Sequence, residues 1–352
     1  MDALTTPSNW QRVRLGDILT LKHGRDYKNF KLGNIPVYGS GGYMLSINNF
    51  LHNGESVCIG RKGTIDKPIY LNGKFWVVDT LFYSYSFKKS IPKFIFYAFS
   101  IIKWSNYNEA TGVPSLTKMT ISNIEIPLPP LNEQIAIANI LSDLDRYLYS
   151  LDALILKKES VKKALSFELL SQRKRLKGFN QAWQKVRLGD IANYLTSNLS
   201  AEQITQQGKI KVYDVNNFIG YTNTTFISDK PYISIVKDGS VGRARILPPK
   251  TNILSTMGAL IANHKTTTEF LFYLLSNFDF KNFTSGSIIP HIYFKDYKEK
   301  TIFLPPLNEQ IAIANVLSGL DHEIISLKNK KRQFENIKKA LNHDLMSAKI
   351  RV

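Results

Sequence analysis

The sequence predicts an α+β protein: two pseudo-twofold-related mixed α/β domains separated by two long antiparallel coiled-coil helices. Three observations lead to this fold class. The eleven-residue segment PPLNEQIAIAN occurs at residues 129–139 and again, unchanged, at 305–315. A shorter segment opens each half, as WQRVRLGDI at 10–18 and WQKVRLGDI at 183–191. A helical apolar pattern follows each copy of the long segment. Repetition on this scale indicates that one half of the chain duplicates the other.

The repeats divide the chain into four expected segments. They are a globular domain over 1–131, a central helix over 132–178, a second globular domain over 179–307 and a C-terminal helix over 308–352. Short runs such as 35–38, 56–59 and 74–78, punctuated by Gly, Asn and Pro, predict strands. The apolar run at 94–99, with its counterpart at 270–275, predicts a buried helix. Each globular part is therefore expected to be mixed α+β.

Each long helix is predicted to begin just after the paired prolines, with Asn132 as the cap of the first. The first helix is expected to end after Lys174, Arg175 and Lys177, at Gly178, and the second to run to the end of the chain. Apolar residues at 3–4 spacing form a coiled-coil seam in each helix. In the first helix they are Leu141, Leu144, Leu148, Leu151, Ile155, Val161, Leu165 and Leu169; in the second, Leu317, Leu320, Ile324, Leu327, Phe334, Ile337, Leu341 and Leu345.

A helix over 132–177 would be about 69 Å long at 1.5 Å per residue. One small domain cannot cover such a seam, so each helix needs a partner of equal length. Its counterpart from the other half is the natural partner. A pseudo-twofold relation then lays the two helices antiparallel, with the globular domains at opposite ends.

The composition points to a polyanionic partner, because 46 Lys and Arg face 28 Asp and Glu and the formal net charge is +18. Nucleic acid is the usual partner of such a chain; an anionic membrane surface and a generally basic host proteome are the alternatives. No stretch is long and apolar enough to span a bilayer. Residues 1–7 lack the features of a signal peptide. The single cysteine, Cys58, is expected to be buried in a strand. The N-terminal residues without signal-peptide features and the single cysteine both fit a cytoplasmic location.

The repeats and two shorter signatures resemble the specificity subunits of type I restriction-modification systems. One signature is KDGSVG at 237–242, with RKGTI at 61–65 in the same place of the first half. The other is GSIIPHI at 286–292, matched by TGVPSL at 111–116. The resemblance covers nearly the whole chain. The first half departs from the family pattern, since RKGTID stands where the second half has Gly-Ser-Val-Gly.

The resemblance implies that each globular half is a target-recognition domain reading one half of a bipartite DNA target. The helices would set the gap between the half-sites. Two modification subunits would dock on the outer helix faces and on the hinges, which are the repeated segments at 129–139 and 305–315, and would methylate adenine. Motor-nuclease restriction subunits would join for cleavage. This chain would bind no cofactor, since S-adenosylmethionine, ATP and Mg belong to the partner subunits. Similarity between the halves is low over 20–56 and 194–232, which implies two different half-sites.

Basic, turn-rich segments contain the residues expected to contact DNA. Lys and Arg neutralise phosphates, and Arg, Ser and Thr near the groove floor read base edges. In the first domain they are Lys22, Arg25, Tyr27, Lys28, Arg61, Lys62, Thr64, Ser115, Thr117 and Lys118; in the second, Lys237, Ser240, Arg243, Arg245, His291, Tyr293 and Lys295. The alternative for each is a solvated charge or a turn requirement, and His291 suits a structural role equally well.

Motifs for catalysis are missing from the sequence. There is no P-loop, methyl-donor motif or HExxH segment, and the six histidines have no ligand spacing. Asp-x-Lys fragments at 26–28 and 296–298 have no convincing upstream acidic partner. We therefore expect a non-catalytic DNA-specificity subunit. Two other hypotheses are a stand-alone nuclease or methyltransferase, and a coiled-coil scaffold that binds nucleic acid without sequence choice.

Overall fold

A computed structural model describes residues 9–352. The expectation about a signal peptide at residues 1–7 lies outside them. The chain divides into two compact units, Met1–Asp152 with Asn329–Val352, and Ala153–Lys328. Among the described residues, no helix has both the length and the apolar character needed to cross a membrane.

The first unit contains short strands and helices before the first long helix. Strands β1–β10 are Gln11–Arg14, Thr20–His23, Leu32–Gly39, Gly42–Ile47, His52–Asn53, Ser56–Gly60, Ile69–Leu71, Lys74–Val77, Leu81–Tyr85 and Glu125–Leu128. Helices α1–α3 are Leu15–Ile18, Pro92–Ile101 and Lys118–Asn123. The strands predicted at 35–38, 56–59 and 74–78 lie in β3, β6 and β8. The buried helix predicted at 94–99 lies in α2, so these predictions are confirmed.

Two four-stranded sheets form the body of the first unit, in the orders β2-β9-β6-β7 and β4-β3-β8-β5. One face of the first sheet packs with α2, through residues such as Ile59 and Phe94. Its other face contributes Cys58 to a cluster with Phe75 of the second sheet. Cys58 is fully buried, as predicted, and burial raises the pKa of its thiol to about 12.

Helix α4, Leu131–Leu170, follows, and the second unit then repeats the pattern. Strands β11–β21 are Gln184–Arg187, Ala192–Thr196, Ile210–Tyr213, Phe218–Thr222, Tyr232–Val236, Ala244–Leu247, Asn252–Ile253, Met257–Ala262, Thr284–Ser285, His291–Ile292 and Thr301–Leu304. Helices α5–α7 are Thr268–Ser276, Phe294–Tyr297 and Leu307–Met346. The sheets have the orders β12-β18-β15-β16 and β14-β13-β17, so the mixed α/β repeat predicted from the sequence is present.

The repeated opening and hinge segments meet in each unit. β1 pairs antiparallel with β10, and β11 pairs in the same way with β21. Trp10 Nε1 donates a hydrogen bond of 3.0 Å to Glu133 Oε2 at the start of α4. Trp183 Nε1 donates an equal bond of 3.0 Å to Glu309 Oε2 at the start of α7. In each unit, the tryptophan of the opening segment is therefore hydrogen-bonded to the glutamate of the hinge segment.

The hinge glutamine makes a second set of bonds. Gln134 is buried, and its Nε2 donates to Lys89 O at 2.9 Å and to Pro129 O at 2.8 Å. Its Oε1 accepts from Ile91 N at 3.1 Å, just before α2. The chain segment that leads into α2 is thus tied to the first turn of α4.

Replacing Gln310, the counterpart of Gln134, by alanine is expected to lower the free energy of unfolding by about 2–4 kcal/mol, because buried donors and acceptors lose their partners. Gln310 Nε2 donates to Lys265 O and Pro305 O, both at 2.9 Å. Its Oε1 accepts from Thr267 N at 3.0 Å. Urea titration followed by circular dichroism measures the change. Asn315→Ala, at an exposed position of the same helix, is the control, and equal shifts for both variants would contradict the prediction.

In the first unit, the two long helices run antiparallel. Asp145 of α4 forms an ion pair with Lys338 of α7, and Asp152 pairs with Lys331 at 2.7 Å. Residue numbers therefore rise along one helix as they fall along the other.

The second unit shows the same antiparallel pairing. Lys162 of α4 pairs with Asp321 of α7, and Glu159 pairs with Lys328 at 2.6 Å. Lys162–Asp321 repeats the Asp145–Lys338 pair, because each partner lies 176 residues from its counterpart. The predicted antiparallel arrangement is confirmed within each unit.

The ends of both long helices differ from the prediction. α4 begins at Leu131, so Asn132 lies in its first turn and is not its cap. α4 ends at Leu170 rather than at Gly178, so Lys174, Arg175 and Lys177 follow the helix instead of forming its last turn. Gln172 adopts a left-handed backbone with φ 61°, and Arg175 Nη2 reaches the buried carboxylate of Glu309 at 2.6 Å. Gln172 supplies the left-handed residue at which helices commonly end. α7 ends at Met346, where Ala348 takes φ 56°.

Two predicted seam residues are wrong. Val161 is 43% exposed and Ile337 is 50% exposed. The next residues, Lys162 and Lys338, turn toward the carboxylates of the opposite helix instead. A straight helix has 3.6 residues per turn and drifts from a strict heptad pattern. The face that contacts the opposite helix therefore does not include these two positions.

Candidate nucleic-acid interface

One end of the first sheet collects most of the predicted residues of the first unit. β9 begins there, with Leu81 paired to Gly60, the last residue of β6. Gly24 N, just after β2, donates to Leu81 O at 3.0 Å. The segments that begin with Arg25 and Arg61 therefore leave the sheet at the same end.

Two loops are bonded together at this end. We call residues 61–64 the glycine loop and residues 111–116 the proline loop. Gly63 N donates to Pro114 O at 2.9 Å, and Leu116 N donates to Arg61 O at 2.9 Å. Lys62 and Ser115 form a β-bridge between these bonds. Gly63 has φ +85°, which favours glycine.

The second unit contains the same pair of loops, at residues 237–242 and 286–292. Gly239 N donates to Pro290 O at 2.8 Å, and Ile292 N donates to Lys237 O at 2.9 Å. Asp238 and His291 form the bridge. Gly239 has φ +84°. Each of these bonds lies 176 residues from its counterpart, so both units share one main-chain framework.

Several polar side chains of these loops already have partners in the protein. Arg61 Nη1 donates to Asp79 O at 3.2 Å. His291 Nδ1 lies 2.7 Å from Asp238 Oδ1, which supports the structural role considered for this histidine. Thr117 caps α3 by accepting from Thr120 N at 3.2 Å. These bonds hold the three side chains in place within the protein.

The other predicted residues of the first unit lie in different surroundings. Lys22 Nζ lies 4.7 Å from the ring centroid of Tyr85, at the end of β9 away from Leu81, and its hydrogen bond to Tyr85 raises the pKa of Lys22. Arg25 is exposed, and its O accepts from Trp76 Nε1 at 2.7 Å. Tyr27 and Lys28 line a cleft of about 780 Å³. Thr64 lies in the glycine loop, and Lys118 begins α3.

In the second unit, Ser240 and Arg243 are exposed on the β15–β16 connection. Arg245 lies on β16, with its guanidinium 5.3 Å from the ring centroid of Tyr213. Tyr293 is exposed beside His291, and Lys295 Nζ lies 5.5 Å from the centroid of its ring. The structure thus gathers these residues near the paired loops.

A third segment, which we did not predict, also reaches this end in each unit. It is the turn between two strands of the second sheet together with the strand residues next to it, at residues 39–44 for β3 and β4 and at 214–218 for β13 and β14. We call these the hairpin tips. They lie within the stretches 20–56 and 194–232, where the halves share little sequence. The low similarity over these stretches was the sequence feature that could have identified the hairpin tips.

The fragments weighed as nuclease motifs have other roles. Asp26 Oδ1 accepts from Lys28 N at 3.1 Å within a turn. Tyr297, in the second fragment, is buried in the core. Across residues 9–352, no three or more His, Cys, Asp or Glu side chains are grouped as metal ligands would be.

Each hinge exposes a pair of large apolar side chains on the first turns of its helix. Leu131 and Ile135 are 50% and 47% exposed, and Leu307 and Ile311 are 46% and 49% exposed. We call each pair a hinge patch. The two patches are identical in sequence, one in each unit.

Comparisons with known proteins agree on one family. The family model described as "Type I restriction modification DNA specificity domain" matches residues 7–158 and 180–336. The type I restriction enzyme MjaVIII specificity subunit of Methanocaldococcus jannaschii is 25% identical over 100% of this chain and 95% of its own length. The putative MjaX specificity subunit from the same organism is 31% identical over 74% of this chain and 68% of its own length.

Solved structures share the fold. The S subunit of a type I restriction-modification system from M. genitalium matches with a TM-score of 0.70 and 19% identity, over 97% of both chains. A chain from a structure on the assembly and conformational transition of the type I system matches with a TM-score of 0.58 and 15% identity, over 97% of this chain and 98% of its own. The predicted fold class, with two mixed α/β domains and two long helices, is confirmed.

Proposed function

Because the chain belongs to the type I restriction-modification DNA specificity family, we propose that it selects the DNA target of a type I restriction-modification complex. Each unit reads one half of a bipartite target, and the paired helices set the gap between the halves. The observation that supports this most directly is the pair of bonded loops, which recurs bond for bond in both units while the side chains differ. One framework with two sets of side chains suits two different half-sites.

The charge of the chain supports DNA as the ligand. With a net charge of +18, the affinity depends on phosphate neutralisation and falls as salt rises. The exposed Lys62, Arg243 and Lys295 lie on or beside the paired loops, where they can neutralise phosphates. Base edges are then read by polar side chains at the same end of the sheet.

The hinge patches support two copies of one partner. Identical exposed patches on the two hinges fit identical docking surfaces, and large exposed apolar groups are typical of interface anchors. We assign these patches to two modification subunits, which methylate adenine. The chain itself is non-catalytic in this proposal. S-adenosylmethionine belongs to the modification subunits, and ATP and Mg belong to motor-nuclease subunits where these join. We expect the complex in the cytoplasm, with the chromosome.

A genome-wide map of adenine methylation in the native host, with the gene intact and deleted, tests the function. We expect one bipartite motif with a fixed gap to disappear on deletion and to return on complementation. If the complemented strain methylates no such motif, the proposal fails. Purified chain that binds scrambled and native DNA equally well would instead favour a scaffold without sequence choice.

Exchanging residues 1–128 for the corresponding domain of a relative with a different target is expected to change one half-site completely. The other half-site and the gap stay as they were, because the second unit and both helices are unchanged. Methylation mapping of the hybrid measures both halves at once. A hybrid in which both half-sites change would rule out the assignment of one unit to each half.

A further inference from the structure

The hairpin tip of the first unit is joined to the glycine loop through one residue. Ser40 N donates to Thr80 Oγ1 at 3.3 Å. Thr80 O accepts from Arg61 N at 2.7 Å. A Cβ on Gly63 would lie 3.3 Å from Ser40 Oγ, so the tip and the loop are in contact. The tip therefore shares the surface on which the predicted DNA contacts lie.

In the second unit, the tip is held by the basic strand β16. Arg245 Nη1 donates to Asn216 O at 2.8 Å. Asp214 Oδ1 accepts from Asn216 N at 2.8 Å and from Asn217 N at 2.7 Å. The main chain of the tip is thus fixed, while the side chains of Asn216 and Asn217 are exposed.

The two tips are structural counterparts despite their different sequences. β3 enters the first tip in parallel pairing with β8, at Tyr38 and Val77. β13 enters the second tip in parallel pairing with β17, at Tyr213 and Ile253. An aromatic pair spans each tip at nearly the same geometry. Tyr38 and Tyr43 have centroids 6.1 Å apart at 74°, and Tyr213 and Phe218 have centroids 6.0 Å apart at 68°.

The chemistry that the tips expose differs between the units. The first tip is rich in glycine, and its exposed side chains are Tyr43 and Met44, which line the cleft of about 780 Å³. An apolar side chain suits the methyl group of thymine. The second tip presents the amides of Asn216 and Asn217, which match the donor and acceptor of adenine in the major groove.

We propose that the hairpin tips read base edges and give the two units different sequence preferences. This inference rests on the proposed function. The paired loops supply the framework common to both units, and several of their side chains are already bonded within the protein. The tips combine a fixed main chain with exposed, different side chains. A reading element needs these properties.

The test uses the complex of this chain with its modification subunits and a randomised DNA library. Bound DNA is recovered and sequenced for the parent and for two variants, Asn216→Ala with Asn217→Ala and Tyr43→Ala with Met44→Ala. Gln206→Ala, which removes an exposed amide outside the tip, is the control. Thermal melting verifies that each variant is folded.

We expect the asparagine variant to lose about five- to a hundredfold of the preference at one or two positions of one half-site. The tyrosine–methionine variant relaxes positions in the other half-site, and Gln206→Ala changes neither. If the parent selects a bipartite motif and the tip variants select it with the same preferences, the tip assignment is wrong while the proposed function stands. If one variant alters both half-sites, the assignment is also wrong. If the parent selects no motif, the proposed function fails and this inference fails with it.

Discussion

Replacing Ile135 and Ile311 together by glutamate is expected to abolish adenine methylation by the assembled complex, with a loss of at least about a hundredfold, because a carboxylate without a partner is forced into an apolar interface. Both side chains are about half exposed in this chain. The free chain is therefore expected to keep its stability. Size-exclusion chromatography with light scattering then measures how many modification subunits remain bound.

The single variants distinguish the two patches. Ile135→Glu and Ile311→Glu should each release one modification subunit and leave the other bound. Ser100→Glu with Ser276→Glu is the matched control, since both positions are exposed, lie on α2 and α5 rather than on the long helices, and are 176 residues apart. Full assembly of the Ile135–Ile311 double variant would show that the modification subunits dock elsewhere.

Inserting one heptad into each long helix, after Asp152 in α4 and after Lys328 in α7, is expected to widen the gap between the half-sites. These are the points at which each helix passes from one unit to the other. Seven residues add about 10.5 Å of helix, which corresponds to about three base pairs at about 3.4 Å each. A heptad also keeps the apolar seam in phase. Methylation mapping reads the new gap directly.

Insertion into α4 alone is the control for this prediction. It breaks the match between the two helices and strains pairs such as Asp152–Lys331 and Glu159–Lys328. We expect this variant to lose stability and methylation together. A matched double insertion that methylates DNA with the original gap would show that the helices do not set the spacing.

The repeats made the fold class predictable, since two copies of one hinge imply two copies of what surrounds it. They did not reveal what the hinge does, because Trp10 and Glu133 meet across 123 residues of chain. The early end of α4 was missed for a different reason. Helices commonly end beside a left-handed glycine, and Gly178 offered one, whereas the left-handed residue that follows α4 is Gln172.

The candidate site was predictable where the two halves agree and not where they differ. Gly63 and Gly239 stand in related sequences, and the structure gives them nearly the same φ and equivalent proline partners. The two hairpin tips do not share a sequence motif of this kind. Their equivalence rests on parallel strand pairing and on an aromatic pair, and both depend on contacts between distant segments. A single sequence does not contain that information.

The hydrogen bonds made by Gln134 have an evolutionary consequence. All three of its partners are main-chain atoms, Lys89 O, Pro129 O and Ile91 N. These hydrogen bonds therefore do not depend on the identity of the neighbouring side chains. Beside Gln134, the side chain of Glu133 accepts its bond from the indole of Trp10. The rest of the domain can therefore change in sequence during evolution, or be exchanged for another domain between the repeats, while the new domain keeps these bonds to the helix. A different DNA preference can then arise without a new set of contacts to the helix.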